Sequence, residues 1–332
     1  MTVQAQKSSN ADKQKSVAAP EPLRFPEGLM ALDRPRIAGV LNVTPDSFSD
    51  GGRYHTVEAA VARGLAMLAE GADIIDVGGE SSRPGAERVP PEEQIERVVQ
   101  VIRSLRQAIA ERQLSGAGLP GGVVSIDTTR RAVAEAALDA GASMLNDISA
   151  GREDEADRGG LLALAAQRGV PIVLMHMHGR PKDMQADPRY DDVVAEIEAF
   201  LDERLAAAEA AGVPRSQVVI DPGIGFGKTV AHNLAILRAL PRYTAGGGTD
   251  SGGDAGSRGR AVMLGTSRKS FLAKLAGRPE LKVEPDPPGG TAATTALGVA
   301  AGVRLFRVHD VALNRRAADA AAAIEHAKSE YV

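Results

Sequence analysis

Eight short apolar runs recur along the chain, each followed by a polar or glycine-bearing turn and then an amphipathic, alanine-rich stretch. The runs are Ile37–Leu41, Ile74–Val77, Val123–Ile126, Met144–Leu145, Ile172–Met175, Val218–Ile220, Val262–Leu264 and Leu305–Val308. Between them lie helical stretches such as Val57–Glu70, Glu92–Glu111, Arg131–Ala140, Val193–Ala211 and Val311–Ala327, rich in the strong helix formers Ala, Leu, Glu and Arg. A strand that alternates with a covering helix builds a parallel sheet. Eight such units in 332 residues predict closure into an α/β-class (β/α)8 TIM barrel. A doubly wound open sheet is the alternative, but it would carry a glycine-rich dinucleotide turn after its first strand. Asn42-Val43-Thr44-Pro45 is not one.

The barrel is expected over 34–332 as one domain, and an apolar fraction of 43% suffices for its core. Residues 1–33 mix Lys, Gln, Ser, Ala and Pro without periodicity and read as a flexible polar tail. Ser115–Gly122 and Ala245–Gly259 are rich in Gly, Ser or Asp and precede strands. That places them on the amino-terminal face of the barrel, with 245–259 expected to be a mobile loop. A net charge of −4 and 3% aromatics argue against nucleic acid or an anionic membrane as partner. The absence of cysteine excludes disulfides and thiolate chemistry. No apolar stretch reaches about 18 residues, the length of a membrane span, and the polar start lacks the core of a signal peptide. A cytoplasmic location is expected.

In a TIM barrel, chemistry sits at the carboxyl ends of the strands. Here all eight ends are polar: Asn42; Asp76 and Glu80; Asp127; Asn146 and Asp147; His176; Asp221; Ser267, Arg268 and Lys269; Arg307 and His309. Any one of these could be a turn or capping residue; all eight together favour a convergent site. Arg83, Arg268, Lys269, Arg307 and His309 supply cations suited to phosphate oxygens, and a helix starting near Ser267 would add backbone donors. Asp127, Asn146 and Asp221 supply acceptors, so the ligand should pair an anionic end with an amino-substituted heterocycle. Gly223–Thr229 approaches a Walker loop, but Pro222 replaces its first glycine. His176-Met177-His178 has zinc-like alternation without a further ligand group, so His176 reads as hydrogen-bonded and His178 as solvent-facing.

Gly39 to Gly52 (GVLNVTPDSFSDGG) and Asp76 to Ala86 (DVGGESSRPGA) resemble the two signatures of the dihydropteroate synthase family. Ser125-Ile126-Asp127-Thr128, Asn146-Asp147-Ile148, Met175-His176-Met177, Asp221 to Lys228 (DPGIGFGK), Ser267 to Phe271 (SRKSF) and Arg307-Val308-His309-Asp310 follow in family order.

The resemblance implies condensation of 6-hydroxymethyl-7,8-dihydropterin diphosphate with p-aminobenzoate, releasing diphosphate. By position, Asp127, Asn146, Asp221 and Lys269 would hold the pterin. Arg307 would lie against its ring and reach the diphosphate, and Met175 would wall the pocket. Asn42 would contact Mg²⁺ through the diphosphate, which Arg83 and His309 would grip. Phe226 and Pro84 would flank the aminobenzoate, with Ser82 and Ser267 beside it. Asp127, Asp221, Lys269 and Arg307 are the expected catalytic set, and Lys228 is as readily structural. The loops 43–53 and 81–89 would close over the site. A homodimer through the last helices and competition by sulfonamides are further implications. Ser82 stands where the family usually has Thr, losing a methyl contact but not the hydroxyl. The runner-up readings are a methyltetrahydrofolate-dependent methyltransferase barrel, which would lack Ser81–Pro84 and Ser267–Lys269, and a catalytically silent pterin-binding paralogue.

Overall fold

The apolar runs fold as strands at the expected places in the computed structural model, which describes residues 19–43, 57–83, 85–114, 122–154, 156–245, 260–275 and 288–327. A short hairpin, β1 (Leu23–Phe25) and β2 (Gly28–Met30), precedes β3 (Arg36–Asn42), β4 (Ile74–Gly78), β5 (Val123–Asp127), β6 (Met144–Asp147), β7 (Ile172–Met175), β8 (Val218–Asp221), β9 (Met263–Leu264) and β10 (Leu305–Val308). The last eight form one parallel sheet in the order β8-β7-β6-β5-β4-β3-β10-β9. An isolated parallel bridge, Ile220 to Val262, joins β8 to β9, and Ile220 N–H donates to Ala261 O at 2.9 Å. The ring is thereby closed, and the fold is the expected TIM barrel.

Helices cover the outside. They are α1 (Val57–Ala69), α2 (Pro91–Leu114), α3 (Arg131–Asp139), α4 (Gly160–Arg168), α5 (Val193–Ala210), α6 (Val230–Arg238), α7 (Leu240–Thr244), α8 (Ser270–Leu275), α9 (Pro288–Ala300) and α10 (Val311–Ala327). Residues such as Ile37, Ile75, Val124, Leu145, Leu174, Ile220 and Phe306 point outward and form the main core with the helices.

Side chains alternate across a strand, so the other parity lines the barrel interior. Ala38, Ile74, Val123, Met144, Val173, Val219, Met263 and Leu305 form an apolar floor together with Leu23, Phe25, Met30 and Leu32 of the hairpin segment. Two residues further along each strand come Val40, Asp76, Ser125, Asn146, Met175, Asp221, Gly265 and Arg307. A mostly polar layer thus rests directly on an apolar one.

The hairpin corrects one expectation. Residues 23–32 are not part of a flexible tail: Leu23 and Leu32 are fully buried beneath the floor. Arg24 N–H donates to Gln217 Oε1 at 2.7 Å, fastening the hairpin to the start of β8. Three-residue strands are too short to show periodicity, and their burial depends on partners about 200 positions away. Residues 1–18, 44–56, 115–121 and 246–259 lie outside the described residues, so the outer tail, most of the 43–53 loop and the two Gly/Ser-rich segments do as well.

Candidate active site

Asp76 is the hub of the polar layer. Its carboxylate accepts hydrogen bonds from the Ser125 hydroxyl, from Asn146 Nδ2 at 3.0 Å and from Arg307 Nε at 2.6 Å. Arg307 Nη2 donates to Asp127 Oδ2 at 2.7 Å, so one guanidinium bridges two buried carboxylates. Burial works against the Arg307 charge, but Asp76 and Asp127 together hold its pKa above the ordinary range. Burial pushes the Asp127 carboxyl up, and the Arg307 guanidinium opposes that shift. Arg307 is therefore not a loose cation at the mouth, as the sequence suggested, but the tie across the top of the barrel.

Asp221 ends β8 and accepts from Gly223 N–H at 2.7 Å. Gly223 has φ +68°, and a Cβ there would lie 1.9 Å from His176 O, so only glycine fits. The turn that follows is held by several hydrogen bonds to its backbone. Gly225 N–H donates to Asn233 Oδ1 at 2.7 Å, and Gly227 O accepts from the Tyr190 hydroxyl at 2.9 Å. Lys228 Nζ reaches His176 Nδ1 and Phe226 O, each at 3.0 Å. Lys228 thus joins the ends of β7 and β8 from within, a structural role. Burial first, then the Lys228 charge, pulls His176 down to about 2, leaving its ring neutral and able to accept. His178 is exposed, as expected.

This turn presents Phe226 to Lys269, whose Nζ sits 3.8 Å from the ring centroid. Burial, reinforced by the Arg307 charge, pulls Lys269 down to about 7. Gly265 leaves room nearby: a Cβ there would stand 3.8 Å from Arg307 Cβ and 3.9 Å from Asp221 Oδ2. Met175, Met177, Met184 and Phe226 make a small apolar cluster along the same rim.

Cations gather around the ends of β9 and β10. Ser267 Oγ accepts from His309 N–H at 3.2 Å and lies 3.0 Å from His309 Nδ1. Burial, followed by Arg268, Arg307, Lys269 and Arg83, holds His309 well below its ordinary range. Four cations converging on one neutral imidazole make a setting that favours an anion. The adjoining helix begins at Ser270, not at Ser267, and α8 spans only six residues, so Ser267 contributes through its own hydroxyl.

A cleft of about 410 Å³ opens beside Asp127, lined by Ser82, Thr128, Ile148, Arg152 and Met177 among others. The loop from Glu80 to Val89 forms one wall. It is braced internally by Val89 N–H on Glu80 Oε1 at 2.7 Å. It also leans on the loop after β7 through Gly85 N–H to Pro181 O at 3.1 Å and the Lys182–Glu87 pair at 2.9 Å. Pro84 lies outside the described residues, and Arg83 is exposed.

The profile of the pterin binding enzyme family matches residues 38–309. Dihydropteroate synthase of Mycobacterium leprae is 44% identical over 286 residues, spanning 85% of this chain and 90% of the relative. The chain belongs to the dihydropteroate synthase family of pterin-binding enzymes. Two solved structures of the Xanthomonas albilineans family member superpose on it. One holds 4-aminobenzoic acid, with TM-score 0.75, 42% identity and coverage of 92% of this chain and 99% of that one. The other holds 7,8-dihydropteroate, with TM-score 0.71, 40% identity and coverage of 92% and 99%.

The strand ends bring together Asp127, Asn146, Asp221 and Arg307, with Lys269 reaching in from the loop after β9. Ser267 and His309 meet at their cationic side. Asn42 ends β3, and both its Oδ1, at 3.4 Å, and Asp127 Cβ, at 3.6 Å, would touch a Cβ placed on Gly78. The sequence marked Asp76 only as one of the polar strand ends, without a partner or a ligand. The available signal was a carboxylate inside the apolar run Ile74-Ile75-Asp76-Val77, in a barrel strand whose alternate residues face inward.

Proposed function

We infer that this chain is a dihydropteroate synthase, a transferase of folate biosynthesis that joins p-aminobenzoate to 6-hydroxymethyl-7,8-dihydropterin diphosphate. The observation that carries the reading is the polar layer itself. Carboxylate and amide acceptors for a donor-rich heterocycle stand beside a cationic pocket for its phosphates, within a chain that matches a dihydropteroate synthase over 85% of its length. The methyltransferase alternative loses ground because Ser81-Ser82-Arg83 and Ser267-Arg268-Lys269 are both present.

We assign Asp127, Asn146 and Asp221 to the donor edge of the pterin, Lys269 to its carbonyl side and Met175 to the wall. Arg307 lies against the ring, and Arg83 and His309 hold the diphosphate. The carbon–oxygen bond to diphosphate breaks first, and the positive charge spreads from the methylene carbon into the pterin. Asp127 and Asp221 stabilise that charge where it develops, while Arg83 and Arg307 stabilise the departing anion. The neutral arylamine nitrogen then bonds to the methylene carbon and loses its proton, with no protein nucleophile needed. Phe226, Pro84, Ser82 and Ser267 are assigned to the aminobenzoate.

Among the described residues no group of three or more His, Asp, Glu or Cys could hold a metal. Magnesium usually keeps waters and substrate phosphate oxygens, so one amide oxygen at Asn42, beside the anion pocket, fits a metal that arrives with the diphosphate. Bound there, it would neutralise leaving-group charge. No helix among the described residues is long and apolar enough to cross a membrane, and we place the enzyme in the cytoplasm. We place a homodimer contact on α9 and α10, where Leu297 and Ile324 are each 64% exposed.

The deciding assay measures diphosphate release. Release that depends on p-aminobenzoate, is abolished by EDTA and is restored by Mg²⁺ is expected. Binding of pterin diphosphate without turnover would instead identify a silent paralogue.

A further inference from the structure

We propose that Asp76 is a positioning residue that fixes which edge of the Asn146 amide meets the substrate, and so makes the site selective for a pterin carrying an exocyclic amino donor. The proposal rests on the placement of the pterin at Asn146 made above. Asp76 is 2% exposed and lies in the same interior layer as Asn146, Ser125 and Arg307. Its Oδ1 receives the Ser125 hydroxyl, and its Oδ2 receives both Asn146 Nδ2 at 3.0 Å and Arg307 Nε at 2.6 Å. Both oxygens are therefore held, and the carboxylate has no alternative rotamer that keeps these three donors.

A carboxylate held by a guanidinium offers lone pairs and no proton. Asn146 must turn its nitrogen toward Asp76, because its oxygen there would meet another acceptor at hydrogen-bond range. The amide oxygen is then committed to the side away from Asp76. An asparagine on its own is ambiguous, able to donate or accept along either edge. Asp76 removes that ambiguity before any substrate arrives, which makes Asn146 an acceptor for an N–H donor. A heterocycle with oxygen where the pterin carries its amino group would set two acceptors against each other. Asp76 reaches the substrate only through Asn146 and Arg307, so it is not itself catalytic.

The test compares kcat/KM for pterin diphosphate with that for the analogue carrying oxygen in place of the 2-amino group. The wild-type chain should prefer the amino compound. Asp76→Ala removes the acceptor that meets Asn146 Nδ2 and lets that amide turn over. The preference should then narrow by about tenfold or more, the scale of one buried hydrogen bond. A purely structural defect would lower both substrates alike and leave the ratio unchanged; that result overturns the proposal. Ser125→Ala, which leaves the Asn146 contact in place, should keep the ratio. The pair Asp76→Ala with Asn146→Asp makes position 146 an acceptor regardless of orientation and leaves a carboxylate beside Arg307, and it should restore the amino preference even if Asp76→Ala alone fails to fold. A preference still lost in that double variant also overturns the proposal. Failure of the underlying placement looks different: Asn146→Ala would then change neither the pterin KM nor the ratio.

Discussion

Arg307 shows how little a residue's charge says about its burden. Removing it takes from the buried Asp76 and Asp127 the guanidinium that pairs both, and breaking a buried pair from one side costs on the order of 3–5 kcal/mol. Arg307→Ala should therefore lower the urea midpoint as well as cut turnover by roughly a hundredfold or more, the scale of a lost electrostatic group at the reacting centre. A variant as stable as its parent would contradict the bridge at 2.6 and 2.7 Å. Gly223 is a second such residue, because the obstacle to a side chain there is backbone. Gly223→Ala must displace either the end of β7 or the Asp221 turn. Circular dichroism melting should show a loss of more than about 1 kcal/mol, the least expected for alanine forced to positive φ.

At the scale of elements, the hairpin seals the floor without touching the chemistry. A fully buried leucine contributes roughly 1.5–3 kcal/mol by leaving water, and a charge in its place has no partner beneath the barrel. Leu23→Asp should therefore lower the unfolding free energy by about 3 kcal/mol or more while leaving KM values unchanged in protein that remains folded. A raised KM with normal stability would instead mean that the hairpin acts on the site. The long elements were legible. The strand predicted at Ile37–Leu41 is observed over Arg36–Asn42, and the helix predicted at Glu92–Glu111 runs over Pro91–Leu114. Their signal is local repetition. The hairpin has none, because each of its strands is three residues long and only the floor explains why Leu23 is apolar.

For the molecule as a whole, the site places opposed charges in a buried layer, and pH exposes the cost. Lys269 titrates at about 7 when folded, against an ordinary value of 10.5. Between those values the folded protein holds fewer protons than the unfolded chain, so this group's contribution to stability rises with pH across the window. The melting temperature without substrate should carry that upward term between pH 7 and 9, and Lys269→Met should remove it. Catalysis should run the other way. As Lys269 loses its proton through about pH 7, kcat/KM for pterin diphosphate should fall, and Lys269→Arg, which stays charged, should move that decline to higher pH. A sulfonamide shaped like p-aminobenzoate should compete with it; noncompetitive inhibition would argue against the aminobenzoate placement.

The order of residues alone determined the barrel and marked its polar strand ends as the place to look for a site. Strand and helix periods are local, and family motifs fall at or just beyond the ends of five strands, at Asp127, Asn146, Asp221, Lys269 and Arg307. Tertiary structure decided who pairs with whom. Closure carries Arg307 across to Asp76 and Asp127, positions 231 and 180 residues away. It also makes Asp76 a hub and lifts residues 23–32 out of the tail to become a floor. Burial and hydrogen bonding between distant positions are properties of the closed ring, and no window along the chain contains them.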